Sequence, residues 1–366
     1  MPLYMDVHIM PGVKARDVAA AHQLDLLHQS NHECTCMTYW VDESRGNIFC
    51  LIDAPDKAAV EHLHQQAHGL LPNKVIEVNS SVVSSFLGRI YDPESAITSA
   101  DGLKVFEDSS FRILLVTQTE DPVLMRHLLG HNEAEGILNV YHEIARQNIA
   151  ECGGREADHK GTGFVASFSS ARQAVACALA IRSALVSNNI KVPGFRIGIH
   201  AGEPVEKDEK LFGDTIQFAT YLCHVAQDNQ VAISSAVLEL VAKEPFPKKG
   251  EQVCTLAPPD ERVLEMLFQS LDENWQDPDF DIGGYCHKVA MSQSQLYRKT
   301  INLTGLSPNA LLMNFRLEKA KEMLKQQRHS ISQVTFDAGF SSPSYFTKCF
   351  KKKYGLLPMA YLELLH

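Results

Sequence analysis

Histidine chemistry stands out first in this chain. Seven of its sixteen histidines fall within the first 80 residues: His8, His22, His28, His32, His62, His64 and His68. Imidazole is a good ligand for borderline metals, but several must converge to hold one ion. His64 and His68 are four apart in a helix-like pattern, so they share a face and could chelate together. Val60, Leu63 and Ala67 turn that face toward a core. His22 sits on the inner side of another helix-like stretch, near Val18 and Leu26. Asp6 and His8 are two apart on a strand and point the same way; Cys50 lies on a neighbouring strand. His8, His22, Cys50, His64 and His68 are therefore candidate ligands for a transition metal such as nickel, zinc or iron. The competing reading is of core histidines with a purely structural role. Cys34 and Cys36, spaced C-x-C on one strand face, are a second soft candidate.

These side chains need elements to position them. Strand-like runs at Leu3–Ile9, Thr35–Asp42, Asn47–Asp53 and Lys74–Val78 alternate with helix-like runs over 14–29 and 56–68. The order βαββαβ predicts a ferredoxin-like sandwich over residues 1–80. Residues 81–108, with Pro93, Gly102 and several serines, read as a connector. Strands and helices alternate again over 109–257, where FRILLVT and FRIGIHAG read as buried strands and Ala171–Ser187 as an Ala-rich amphipathic helix. Pro258-Pro259 breaks the pattern, the chain reads as almost wholly helical from Arg262 onward, and 264–366 is taken as one domain. The fold class is thus a multidomain α+β chain.

Charge divides the chain inside this helical segment. Its 366 residues carry a net charge of −10. From Cys286 onward there are 12 Lys and Arg against 4 Asp and Glu; the first 285 residues hold 22 against 40. A cation-rich module follows an acidic body, and attraction to phosphate is a local field effect. The chain has no apolar run long enough to span a membrane and no signal-peptide pattern at MPLYMDVHIM. With nine scattered cysteines, this predicts reduced thiols, a cytoplasmic location and no membrane partner.

The basic module contains a repeat. Ile282, Tyr285, Cys286, Val289, Ala290 and Met291 recur 49 residues later as Ile331, Val334, Thr335, Ala338, Gly339 and Phe340. After the turn the offset becomes 50, matching Ser292 to Ser342 and Arg298 to Lys348. Each copy has apolar residues at helical spacing, a small turn residue and a serine that caps the next helix. Residues 308–327 form one helix between the copies. Gly283-Gly284 should loosen the first unit's leading helix. The segment, including DAGFSSPSYFTKCFKKKYGLLP, resembles the C-terminal domain of AraC/XylS-family transcription activators. That resemblance implies two recognition helices in adjacent major-groove segments of double-stranded DNA. By position, Ser294, Tyr297 and Arg298 face bases from the first, and Ser344, Tyr345, Thr347 and Lys348 from the second. Arg298 suits bidentate contact with guanine. Lys351, Lys352 and Lys353 are left to phosphates or solvent.

Two further resemblances follow from quoted stretches. HKGTGFVASFSSARQAVACALAIRSAL, FRIGIHAGEPV and LFGDTIQFATYLCHVAQDNQVAISS resemble the class III nucleotide cyclase domain, an α/β fold. Active members use two aspartates to hold two divalent cations. Here Thr117 and Thr162 stand at those positions. Gln217 and Tyr221 replace the transition-state Asn and Arg, while Asp214 persists where the family contacts the base. The resemblance implies an inactive cyclase-like domain that pairs two copies into a homodimer, with Asp214 in a relic nucleotide pocket. AHQLDLL, TYWVDESRGNIFCLIDAP and HLHQQAHGLLP resemble small ferredoxin-like nickel-binding proteins. The expected function is a sequence-specific DNA-binding transcription regulator responsive to a metal or small ligand. The alternative is a cyclase enzyme carrying a DNA-binding domain, which the four exchanged positions disfavour.

Overall fold

In the computed structural model, residues 1–94, 96–100, 102–159, 163–205, 210–242 and 253–365 are described. The first elements are β1 (Leu3–Ile9), α1 (Ala15–His28), β2 (Thr35–Asp42), β3 (Asn47–Asp53), α2 (Lys57–Ala67) and β4 (Lys74–Val78). They form an antiparallel sheet in the order β2-β3-β1-β4, the ferredoxin-like arrangement. Side chains alternate across a strand. Tyr4, Cys50 and Tyr39 therefore face α1 and α2, while Met5, Val7, Trp40, Phe49 and Leu51 face away. Both faces are buried, because α3 (Ser80–Leu87) and the next domain cover the second.

Residues 81–108 are thus more than a connector. Val83, Phe86 and Leu87 recur at helical spacing and bury α3 against the sheet. A small hairpin of β5 (Ile97–Thr98) and β6 (Lys104–Val105) follows, and the Tyr39 hydroxyl donates to the Lys104 carbonyl at 3.1 Å.

The middle domain comprises β7 (Arg112–Gln118), α4 (Pro122–Leu129), α5 (His131–Glu151), β8 (Arg155–His159), β9 (Phe164–Phe168), α6 (Ala171–Ser187), β10 (Arg196–Gly202), α7 (Gly213–Val225), β11 (Val231–Ile233), α8 (Ser235–Ala242) and β12 (Val253–Thr255). Its sheet runs β12-β11-β10-β7-β9-β8. The strands β10, β11 and β12 are parallel, and β7 is antiparallel to both neighbours. Helices α5, α6 and α8 pack on one face. Helix α7 covers the other, lying so close that a Cβ on Gly198 would stand 1.9 Å from the Ala219 carbonyl oxygen. No helix among the described residues is long and apolar enough to cross a membrane.

The last domain is helical: α9 (Pro258–Asn274), α10 (Ile282–Lys288), α11 (Gln293–Thr304), α12 (Pro308–Gln326), α13 (Ile331–Asp337), α14 (Pro343–Tyr354) and α15 (Pro358–Glu363). Serine side chains cap the recurring helices: Ser292 for α11, Ser307 for α12, Ser330 for α13 and Ser342 for α14. Each satisfies a backbone N–H that a helix start leaves unpaired. The glycine pair leaves α10 intact, because Asp281 caps it by accepting from Gly284 N at 2.9 Å. The two turns are left-handed, at φ +51° for Ala290 and +74° for Gly339. The buried guanidinium of Arg316 on α12 donates to the carbonyls of Trp275, Asp277 and Phe280, which ties the linking helix to the segment after α9.

Candidate nucleic-acid interface and metal centre

Helices α10 and α11 form one helix-turn-helix unit, and α13 and α14 the second. On α11, Leu296, Thr300 and Leu303 point inward while Ser294, Tyr297 and Arg298 are exposed. On α14, Phe346, Phe350 and Tyr354 point inward; Ser344, Tyr345 and Lys348 are exposed and Thr347 is half-buried. Lys351 and Lys352 are also exposed. Lys353 is not available to phosphate: its Nζ lies 2.9 Å from Glu318 Oε1 and donates to the Asn314 carbonyl, which fastens α14 to α12. Lys299 likewise turns back to Asp260 on α9, at 2.8 Å.

In the first domain a cavity of about 60 Å³ opens between α1, α2 and the sheet, lined by His8, His22, Asp25, Cys50, His64 and His68 among others. Strand alternation puts Asp6, His8 and Cys50 on the helix-facing side, with Asp6 opposite Cys50 in the register. His64 is the hub. Its Nε2 lies 2.9 Å from Asp6 Oδ2; its Nδ1 lies 3.2 Å from Asp25 Oδ1 and 3.1 Å from His68 Nε2. His68 Nε2 is also 3.2 Å from Asp25 Oδ1, and His8 Nε2 is 3.2 Å from Asp6 Oδ1. Burial opposes a charged His64, but Asp6 and Asp25 outweigh it and push the imidazolium up to about 10. Burial likewise opposes ionised Asp6 and Asp25, yet the histidines beside them hold both carboxyls below their usual range.

Two groups of donor atoms converge here: Asp6, His8 and His64, and Asp25, His64 and His68. Each offers two imidazoles and a carboxylate, a donor set suited to borderline divalent metals. Asp6 Oδ1 is buried and accepts no well-aligned hydrogen bond among the described residues, so it has a lone pair to offer. Whichever nitrogen of His64 bonded an ion, the other would keep a carboxylate partner to fix its tautomer. His22 and Cys50 line the cavity but stand outside both groups. The His22 ring faces Tyr39 at 5.3 Å, and burial pushes the Cys50 thiol well up. Asp25 was invisible to the histidine count, although its spacing three residues after His22 places it on the same inner helix face. Cys34 and Cys36 are buried and unpaired; burial lifts the Cys34 thiol to about 11, and its Sγ donates to the His32 carbonyl.

The cyclase-related positions do other work. Thr117 is buried on β7; its Oγ1 accepts from Phe164 N at 2.8 Å and lies 2.6 Å from the Tyr141 hydroxyl. A core hydrogen-bond pair therefore occupies that position. Thr162 lies outside the described residues. Gln217 Nε2 and the Tyr221 hydroxyl both donate to Asp272 Oδ2 on α9, at 3.0 and 2.6 Å. Tyr221 also stacks on Phe268, with centroids 4.6 Å apart. The α7 face that carries these positions is thus taken up by the chain's own last domain. Asp214 is half-buried in the first turn of α7.

Residues 285–363 match a family model described as a helix-turn-helix domain, and residues 4–78 match one described as nickel responsive protein SCO4226-like. Among curated relatives, histidine kinase P4 of Formosa agariphila is 32% identical over 107 residues, 29% of this chain and 8% of that one. The HTH-type transcriptional regulator MtrA of Neisseria gonorrhoeae is 30% identical over 28% of this chain and 33% of its own. The chain thus spans at most about a third of these relatives. Among solved structures, SCO4226 from Streptomyces coelicolor A3(2) is 32% identical, with 21% of this chain and 94% of that chain covered and a TM-score of 0.20. A bacterial light-regulated adenylyl cyclase is 14% identical, covering 66% and 87%, with a TM-score of 0.31. TM-scores this low add no weight to the family matches.

Proposed function

We propose that this chain, whose residues 285–363 match the helix-turn-helix family, is a DNA-binding transcription regulator with a metal-holding sensor domain. The observation that carries the reading is the pair of serine-capped helix-turn-helix units, each presenting polar and basic side chains outward from α11 and α14. Arg298 supplies a fork suited to guanine edges, and Lys348 a cation at the equivalent place in the second unit. Exposed Lys351 and Lys352 supply phosphate attraction that the acidic body lacks. The test is selection of duplexes from a random-sequence library at low salt. Enrichment of a sequence that Arg298→Ala no longer prefers is the expected result; a chain that retains no duplex overturns the reading.

The match of residues 4–78 to a nickel responsive family, together with the donor set around His64, supports a transition-metal ion there, with nickel first and zinc or iron as alternatives. A bound ion would supply a fixed positive charge between Asp6 and Asp25 in place of the His64 proton. His8 and His68 would complete either group, and Asp25 joins the ligand set in place of His22 and Cys50. Such an ion acts on DNA binding only by favouring one arrangement of the domains over another. Equal metal content in the wild type and a His64→Ala/His68→Ala variant would remove these residues from the ligand set.

The middle domain, on this reading, performs no cyclase chemistry. Thr117 is spent on Tyr141 and Phe164, and Gln217 and Tyr221 on Asp272. Turnover of ATP or GTP with Mn²⁺, abolished by a substitution in the middle domain, would overturn this. Pairing of two copies gains no support at α7, whose face α9 covers, so a homodimer needs another surface. Unpaired cysteines and the DNA-binding role support a cytoplasmic location.

A further inference from the structure

We propose that Asp121 is a positioning residue for DNA recognition. It pins the second helix-turn-helix unit to the middle domain while α7 pins the first, so that the middle domain acts as a splint setting the separation and angle of α11 and α14. The inference rests on the DNA-binding reading above and adds to it what fixes the geometry.

The first anchor is broad and apolar. Leu264, Leu267, Phe268 and Leu271 of α9 share a core with Phe218 and Leu222 of α7. Asp272 accepts from Gln217 and Tyr221, and Glu261 accepts from Ser235 N and Oγ at the start of α8. The second anchor is a point contact with directional bonds. Asp121 is 1% exposed. Its Oδ1 accepts from Val123 N at 2.9 Å, so the carboxylate is fixed as the cap of α4. Its Oδ2 accepts from the Tyr361 hydroxyl on α15 at 3.1 Å and lies 2.6 Å from Lys325 Nζ, with Lys321 Nζ at 3.8 Å. Val123 and Leu124 extend the grip into the second unit's core, beside Leu317, Leu324 and Tyr361.

Between the anchors runs α12, 19 residues long, or about 28 Å at 1.5 Å per residue. Helices of this length bend gently under load, and a small bend displaces whatever hangs at the far end. The second unit hangs there. Consecutive major-groove segments of a duplex sit about 34 Å apart. An error in the angle of α12 would therefore pull α14 off its bases while leaving α11 seated. Asp121 grips α12 over its last turns and also α15, the end most exposed to that error.

The experiment uses the full chain and the duplex it enriches from a random-sequence library. Two series are made from that duplex: one with the two contacted segments moved closer or further by single base pairs, and one retaining the first segment alone. The wild type should favour one spacing by about tenfold or more, the value of one charge-assisted bond. Asp121→Asn and Lys325→Met should flatten that preference and weaken binding to the best-spaced duplex by about tenfold, with affinity for the first segment alone unchanged. Tyr361→Phe should move both in the same direction by less. Lys321 keeps Glu318 at 2.7 Å in the Asp121→Asn protein, so that variant does not strand a buried charge. Should it still fail to fold, as read by thermal melting, the Lys325 and Tyr361 variants carry the test. Folded variants with the wild-type spacing profile overturn the proposal, as do variants that weaken one-segment and two-segment duplexes equally. A wild type that enriches no sequence overturns the DNA-binding reading, and this inference with it.

Discussion

His64 sits between two carboxylates, and its consequences run opposite to those of two other histidines. In chelator-treated protein its folded-state pKa, about 10, lies above the unfolded value of about 6.5. The stability it contributes is complete below about 6.5 and is lost as pH rises through 10. His200, held against Ser234 and Phe218, and His224, stacked on Phe268, are pushed down by burial to about 4. Unfolding lets them take up protons below about 6.5, so the stability they contribute falls as pH drops from there toward 4. Metal-free protein should therefore melt highest near neutral pH, with His64→Gln flattening only the alkaline limb of a melting-temperature profile. Metal uptake must displace the His64 proton, so Ni²⁺ should bind more tightly as pH rises from 6 to 9, with proton release visible by calorimetry. The sequence showed the histidines but not the hub. Asp25 looks like one more polar residue on an amphipathic helix until β1 brings Asp6 opposite it across His64.

At the scale of elements, the turns of the two helix-turn-helix units differ in strain. A Cβ on Gly339 would stand 2.3 Å from the Trp275 carbonyl oxygen, at a φ of +74°. Gly339→Ala should cost about 2 kcal/mol or more, read by denaturant melts. Ala290 is exposed and already holds the left-handed conformation in the first unit, so Ala290→Gly should stabilise by about 0.5–1 kcal/mol, read by denaturant melts. On the recognition helices, Arg298→Ala should lose about 1–3 kcal/mol at one base pair and relax the preference there, whereas Lys351→Ala should weaken all sequences alike and lower the salt slope by about 1. These elements were legible because strand alternation, helical periodicity and serine caps are local signals. The strands Leu3–Ile9, Thr35–Asp42, Asn47–Asp53 and Lys74–Val78 coincide with the expected runs. Helix α3 escaped because its four serines resemble a linker, while Val83, Phe86 and Leu87 find their cover in the sheet of the first domain and in side chains of the middle domain, both distant in sequence.

At the scale of the molecule, what the sequence concealed is docking. Gln217 and Tyr221 read only as exchanged cyclase positions, and nothing in the sequence singles out Asp121, until α9 and α15 arrive from more than fifty positions away. Removing the shared acceptor with Asp272→Ala should cost about 1–3 kcal/mol, measured as lower thermal stability of both the middle and last domains together. The sheet of the first domain carries a similar dependence. Its outward face of Met5, Val7, Trp40, Phe49, Leu51 and Ile76 is sealed by α3 and by residues near Leu114 and Phe212. A fragment of the first domain ended at residue 80 would open an oily strip beside free strand edges and should aggregate. Carrying the first domain to a new protein therefore means either carrying its lid or repainting that strip with polar side chains at every second strand position.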